Sequence, residues 1–162
     1  MLIAGLIGFG GAWLGSHATI VTQRDQAREA RNAEARRQRA KVYTAFLDRA
    51  QLLLQRRQTL VTMQEVERDA RKEDRKVKLG RRLANAFPAD ISAHNRFKSA
   101  LNDIYVYGSR AAVSAARSID ASFVDDPKQG AWKLDQAGYM TGYTRFLNVM
   151  CREVSADPRP TC

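Results

Sequence analysis

The sequence has few of the residues that build catalytic and metal sites. Its 162 residues include only two His and two Cys. There is no His-Glu-x-x-His zinc motif, no glycine-rich phosphate loop and no Gly-x-Ser-x-Gly nucleophile turn. Neither His17 nor His94 lies beside other ligands at the spacing that a zinc site needs. We therefore expect no catalytic residue, no metal ligand and no cofactor, and hence a protein that is not an enzyme.

Charged residues are absent from Leu2 to Val21. Twenty helical residues rise about 30 Å, which matches the hydrocarbon thickness of a bilayer. The segment thus predicts a single transmembrane anchor. A signal peptide is an alternative, but no Lys or Arg precedes the apolar run and the run is long. A buried soluble helix is another alternative, although five glycines would weaken such a helix in water.

Small residues recur at four-residue spacing within this anchor. Such strips let two helix backbones approach closely in lipid, so they indicate self-association or docking on another membrane helix. Glycine and alanine are also simply frequent in membrane helices, which is the plainer explanation. The candidate packing residues are Gly8, Gly11, Ala12 and Gly15.

Basic residues follow the anchor at once and predict its orientation. The positive-inside rule places such a flank in the cytoplasm, so we expect the plasma (inner) membrane, with the N-terminus outside and the body in the cytoplasm. Residues 22–82 hold 18 Lys and Arg against 9 Asp and Glu, whereas residues 83–162 hold 9 against 8. The residues that set topology and meet anionic lipid are Arg24, Arg28, Arg31, Arg36, Arg37 and Arg39.

The same basic segment could instead bind nucleic acid. Nucleic-acid modules usually combine basic residues with aromatic ones, and no aromatic lies between Val21 and Val42. Contact with anionic lipid headgroups is therefore the favoured interpretation, and nucleic acid is an unlikely partner.

The two cysteines, Cys151 and Cys162, do not show whether the body lies in a reducing or an oxidising compartment. In a reducing cytoplasm we expect free thiols. With the opposite topology they could join each other or link two chains.

Glycine and proline are absent from Gln23 to Lys78, where helix-forming residues dominate. This pattern predicts one long helix continuing from the anchor and fraying into a loop between Glu67 and Arg82. Apolar stripes predict three further helices: one starting near Pro88 and ending at Gly108, one capped by Ser109 and ending near Asp125, and one from about Gln129 to Val154. No run alternates like a strand.

Four single-sided helices predict an all-α fold. The transmembrane helix would continue into a long helix that packs with about three more as an antiparallel bundle. We divide the chain into an anchor at 1–22, a basic helical stalk at 23–42, a helical bundle at 43–155 and a disordered tail at 156–162.

Three segments resemble those of small bacterial membrane-anchored helical-bundle proteins. They are KVYTAFLDRA at Lys41–Ala50, LNDIYVYGSRAAVSAA with its Gly-Ser helix break at Leu101–Ala116, and FLNVMCREV at Phe146–Val154. The resemblance implies the same plan of N-terminal anchor, Arg-rich stalk and helical bundle. It implies no activity, since that group has no catalytic motif to transfer.

Three hypotheses for function follow. The first is a membrane-tethered interaction or scaffold protein with an unknown protein partner, which could form a homo-oligomer through its anchor or long helix. The second is a phage spanin-like inner-membrane lysis protein, whose body would project into the periplasm. The third is a nucleic-acid-binding module held near the membrane.

Overall fold

The computed structural model describes residues 6–72, 80–126, 131–156 and 162, and the side chains of 23–72, 85–124, 133–156 and 162. Within this part of the chain, four helices and one hairpin follow each other. They are α1 (Leu6–Lys72), α2 (Gly80–Tyr107), α3 (Arg110–Asp120), β1 (Phe123–Asp126), β2 (Ala131–Leu134) and α4 (Gln136–Val154). The predicted helical bundle is confirmed.

The chain divides into two units. Met1–Arg37 contains the start of α1, and Gln38–Cys162 contains the rest of α1 with all later elements. The uninterrupted course of α1 agrees with the absence of Gly and Pro after Gln23, since either residue weakens a helix interior. The helix extends to Lys72, beyond the predicted start of fraying at Glu67.

Aromatic side chains form the centre of the core in the second unit. Phe146 of α4 lies against Tyr43 and Phe46 of α1, with ring centroids 5.2 and 4.9 Å apart. Phe46 also contacts Phe97 of α2, at 5.4 Å between centroids. These rings lie on the buried sides of their helices, as the apolar periodicity predicts.

Alanines and glycine bring α3 and α4 close together. Ala112, Ala115 and Ala116 are fully buried on one face of α3. A Cβ added to Gly142 of α4 would lie 3.0 Å from both the Cγ1 and the backbone nitrogen of Ile119. A side chain at this position would therefore crowd α3, so glycine suits the close approach of the two helices.

The predicted start of the second helix at Pro88 is wrong. The helix α2 begins at Gly80 and contains Pro88 in its interior. Proline usually interrupts a helix because it lacks a backbone N–H and clashes with the preceding turn. The helix nevertheless continues through Pro88, and the apolar residues Ala93 and Phe97 that follow are buried in the bundle.

The prediction that helix continues from Ser109 to near Asp125, and again from Gln129, is also wrong. Between α3 and α4, β1 pairs antiparallel with β2, so that Phe123 lies opposite Leu134 and Asp125 opposite Trp132. The ladder extends to Ser122, whose carbonyl accepts a hydrogen bond from the Asp135 backbone N–H at 2.9 Å. Asp135 then caps α4 by accepting from the Gly138 N–H.

Candidate functional site

The predicted basic residues lie along α1 in two different environments. Arg24, Arg28, Arg31 and Arg37 are exposed, whereas Arg36 and Arg39 are partly buried. The contacts of this set are weak: Arg31 donates to the Ala27 carbonyl at 3.1 Å, and Arg37 lies 4.0 Å from Glu34. Most of this charge is therefore available to an anionic surface.

The predicted packing residues Gly8, Gly11, Ala12 and Gly15 lie within the bounds of α1, but their packing falls outside the described side chains. In the part of the chain that the structure describes, no helix combines the length and the apolar character needed to cross a bilayer.

A polar cluster joins three helices at one end of the bundle. Glu153 of α4 accepts hydrogen bonds from the Tyr43 hydroxyl at 2.6 Å and from the Ser109 hydroxyl. The Ser109 backbone N–H donates to the Tyr43 hydroxyl at 3.3 Å. The Ser109 oxygen also caps α3, because it accepts from the Ala112 N–H at 3.1 Å. This cluster therefore ties α1, α3 and α4 together.

The chemistry of the polar cluster favours a structural role, in which it joins the helices, over a catalytic one. A serine hydroxyl beside a carboxylate is part of what a nucleophile needs, but an acyl-transfer site also requires an oxyanion-binding group and a place for substrate. Ser109 already uses its hydroxyl as donor and as acceptor. Burial, together with the hydrogen bond to Glu153, raises the pKa of Tyr43, so its hydroxyl stays protonated as a donor.

A buried ion pair connects α1 with α2. Arg57 and Asp90 are 0 % and 1 % exposed. The Nε and Nη2 atoms of Arg57 each lie 3.3 Å from a carboxylate oxygen of Asp90. This two-point geometry fits the planar guanidinium to the carboxylate and offsets part of the cost of removing both charges from water.

A further arginine site lies between α2 and α3. Arg117 donates from Nε to the Tyr105 hydroxyl at 3.3 Å, and its guanidinium carbon is 5.4 Å from the centre of that ring. Arg110 is the first residue of α3 and lies on the same face of the helix as Arg117, two turns before it. These residues border a groove whose cavity volume is about 590 Å³.

The cysteines, whose redox state the sequence leaves open, form a disulfide. Cys151 of α4 is bonded to Cys162, with the Cα atoms 5.6 Å apart, a usual separation for a disulfide. The Arg152 Nε also donates to the Cys162 carbonyl at 2.8 Å. Of the predicted disordered tail, residues 157–161 lie outside the described part, and Cys162 is held on α4.

No family model, curated protein or solved structure matches this chain. Its function must therefore be argued from its own residues.

Histidine contributes little to the described chemistry. His94 is partly buried on α2, and His17 lies outside the described side chains. Among the described residues, no group of three His, Cys, Asp or Glu side chains could hold a metal ion.

Sequence reasoning missed the polar cluster, the Arg57–Asp90 pair and the groove. Two signals were present. Arg57 interrupts the apolar stripe of the long helix, and a charged residue at a core position calls for a buried partner. Ser109 was correctly predicted as a helix cap, but its second partner, Glu153, is 44 residues away and no local pattern reveals it.

The burial of Tyr139 should make the stability of the protein depend on pH. Its hydroxyl is buried without a hydrogen-bond partner among the described residues, and burial raises its pKa. The folded protein therefore keeps this proton at a pH where the unfolded chain loses it. Stability is complete below the unfolded pKa of about 10 and falls as pH rises above it.

We expect Tyr139→Phe to leave the free energy of unfolding at neutral pH nearly unchanged and to reduce its decline above pH about 10. Urea unfolding at several pH values measures both effects. Tyr107→Phe makes the same substitution at an exposed tyrosine and supplies the control. An unreduced decline in Tyr139→Phe would contradict the assignment.

Proposed function

We propose that the chain is a membrane-tethered, non-catalytic helical interaction or scaffold protein with a protein partner. The observation that carries the proposal is the uncharged run Leu2–Val21 followed at once by arginine-rich sequence. An apolar segment of this length suits a bilayer core, and a flanking basic segment suits its cytoplasmic surface. The proposed location is the inner membrane, with the N-terminus outside and the body in the cytoplasm.

The exposed arginines of α1 support this proposal. Each Lys or Arg near an anionic leaflet contributes about 1 kcal/mol to membrane attraction, and the effect decays within a Debye length. Arg24, Arg28 and Arg31 come soon after the uncharged run and are exposed. The strip Gly8, Gly11, Ala12 and Gly15 would add a contact between anchors, which favours a homo-oligomer.

The interaction role is supported by apolar side chains on the bundle surface. Val106 and Tyr107 at the end of α2 are 70 % and 47 % exposed, and Met140 of α4 is 52 % exposed. Tyrosine and methionine are enriched where proteins meet other proteins.

The disulfide favours a second candidate. Disulfides persist in oxidising compartments such as the periplasm and are rare in the cytoplasm. The Cys151–Cys162 bond thus supports the spanin-like topology, in which the body projects outward from the inner membrane. The arginine flank and the disulfide therefore support opposite orientations of the same anchored helical protein.

One labelling experiment tests the proposal and separates the two orientations. The exposed Asn102 is replaced by cysteine in a chain that also carries Cys151→Ser and Cys162→Ser. Cells are treated with a membrane-impermeant maleimide, intact or permeabilised, and then fractionated. The proposal predicts labelled protein in the membrane fraction only after permeabilisation. Labelling in intact cells would overturn the cytoplasmic body in favour of the second candidate, and recovery in the soluble fraction would overturn both.

A further inference from the structure

A groove lined in part by arginine, serine and tyrosine lies between the last turn of α2 and the outer face of α3. Its cavity volume is about 590 Å³, enough for a few side chains of a partner. Its polar lining residues are Tyr105, Arg110, Ser114, Arg117 and Ser118. Tyr43, Ser109 and Glu153 of the polar cluster are not among the residues that line the groove.

The break between α2 and α3 creates this groove. A Cβ at Gly108 would lie 2.6 Å from the Ile104 carbonyl oxygen, so only glycine allows the chain to turn so tightly there. Ser109 then caps α3 and starts the new helix. The inner face of α3 is alanine and isoleucine, all fully buried, which leaves its arginines and serines on the outside.

Arg117 is held in place without being neutralised. Its Nε donates to the Tyr105 hydroxyl, and its guanidinium lies near the Tyr105 ring. Stacking on an aromatic ring orients an arginine and restricts its rotamers while its charge remains. Restricting the side chain in advance lowers the entropy cost of binding a ligand.

The charge of the groove has no acidic counterpart. Among the described residues, neither Arg110 nor Arg117 makes a salt bridge, and no Asp or Glu lines the groove. The nearest acid along α3, Asp120, is occupied by Lys98, which donates to its two oxygens at 2.6 and 2.8 Å. Two arginines thus face this concave surface with their charge uncompensated.

We propose that this groove docks an acidic segment of a protein partner, whose carboxylates bind Arg110 and Arg117. The inference rests on the proposed interaction function and assigns it a surface. The planar fork of arginine binds a carboxylate through two parallel hydrogen bonds. Tyr105, 42 % exposed, lines the same groove, and tyrosine with arginine is the composition typical of interface hot spots.

Charge distribution favours a protein over nucleic acid at this groove. A phosphate backbone is usually followed by an extended track of basic residues. Residues 83–162 hold 9 Lys and Arg against 8 Asp and Glu, so their net charge is close to zero. Two arginines beside an exposed tyrosine match a local carboxylate contact better than a polyanion.

Fluorescence anisotropy with the purified full chain in mild detergent tests the proposal. The probe is a fluorescein-labelled peptide of alternating Glu and Leu. Two further probes are the same peptide with Gln for Glu and a single-stranded DNA oligonucleotide. The test variant is Arg110→Gln/Arg117→Gln. The matched control, Arg56→Gln/Arg145→Gln, removes the same charge from two exposed arginines outside the groove.

We expect the Glu peptide to bind, the Gln peptide to bind far more weakly, and the test variant to raise the Kd of the Glu peptide by about tenfold or more. The control variant should leave that Kd nearly unchanged. The proposal is overturned if the wild type does not bind the Glu peptide, if both variants weaken binding equally, or if the test variant weakens DNA binding more than peptide binding. Circular dichroism checks that both variants fold. Since binding is measured in solution, failure here leaves the membrane proposal standing, and failure of the anchor leaves this result standing.

Discussion

Replacing Asp90 by alanine is expected to lower the free energy of unfolding by about 3–5 kcal/mol. The change leaves Arg57 buried with its charge no longer matched by the carboxylate, and both residues are almost completely removed from solvent. The carboxylate also joins α1 to α2 through two hydrogen bonds of 3.3 Å. A buried guanidinium that has lost this carboxylate is costly to keep away from water.

The double variant Arg57→Met/Asp90→Leu distinguishes a lost charge balance from a lost packing volume. Exchanging a buried ion pair for apolar residues of similar size is often neutral or stabilising, so the double variant should be more stable than Asp90→Ala. An ion pair closer to the surface, between exposed Arg71 and partly buried Glu67, provides the control. Arg71 lies 2.6 Å from Glu67 with most of its side chain in solvent, and Glu67→Ala should cost less than about 1 kcal/mol.

Urea unfolding followed by circular dichroism measures all three variants. If Asp90→Ala lowers the free energy of unfolding by no more than Glu67→Ala does, the Arg57–Asp90 pair does not hold α1 and α2 together. If the double variant is as unstable as Asp90→Ala, the loss comes from the shape of the side chains and not from the unmatched charge.

The helices could be predicted because their information is local. The three-to-four-residue spacing of Tyr43, Phe46, Ala50 and Leu53 marks a buried stripe, and all four residues are fully buried. The helix break at Gly108 and the cap at Ser109 are equally local signals, and both lie where the sequence indicates. Periodicity is less exact at the stripe edges, since Ile91 is 51 % exposed although it fits the apolar pattern of α2.

The hairpin was missed because its residues suit a helical stripe just as well. Phe123 continues the spacing of α3, and Trp132 continues that of α4 backward. In the structure both residues lie in strands. The Phe123 ring packs edge-on against the rings of Phe97 and Tyr139, at 5.5 and 5.7 Å between ring centroids. Tertiary packing of one aromatic thus overrides the local pattern over a short segment.

The candidate sites could not be predicted because each depends on contacts between distant parts of the chain. Arg57 and Asp90 are 33 residues apart, and Tyr43 and Glu153 are 110 apart. Opposite charges are plentiful in this sequence, so charge alone does not identify the partners. The lining of the groove comes from both α2 and α3, and no spacing rule describes how two successive helices are placed.

Arginines placed inside the uncharged run should release the protein from the membrane. Each arginine at the centre of a membrane helix costs about 2.5–3.5 kcal/mol on insertion scales. The variant Ile7→Arg/Leu14→Arg places two such charges between Leu2 and Val21. Its matched control, Gln23→Arg/Gln26→Arg, adds the same charge just beyond the run, where it strengthens attraction to anionic lipid. The two variants therefore separate an inserted helix from a chain that merely adheres to lipid headgroups.

Membrane anchoring is the central claim, and alkaline carbonate extraction of cell membranes tests it most directly. We predict that the wild type and the Gln23→Arg/Gln26→Arg control stay in the carbonate-resistant pellet, while most of the Ile7→Arg/Leu14→Arg variant moves to the supernatant. Extraction of the wild type by carbonate, or retention of all three proteins in equal measure, would contradict an anchor in Leu2–Val21.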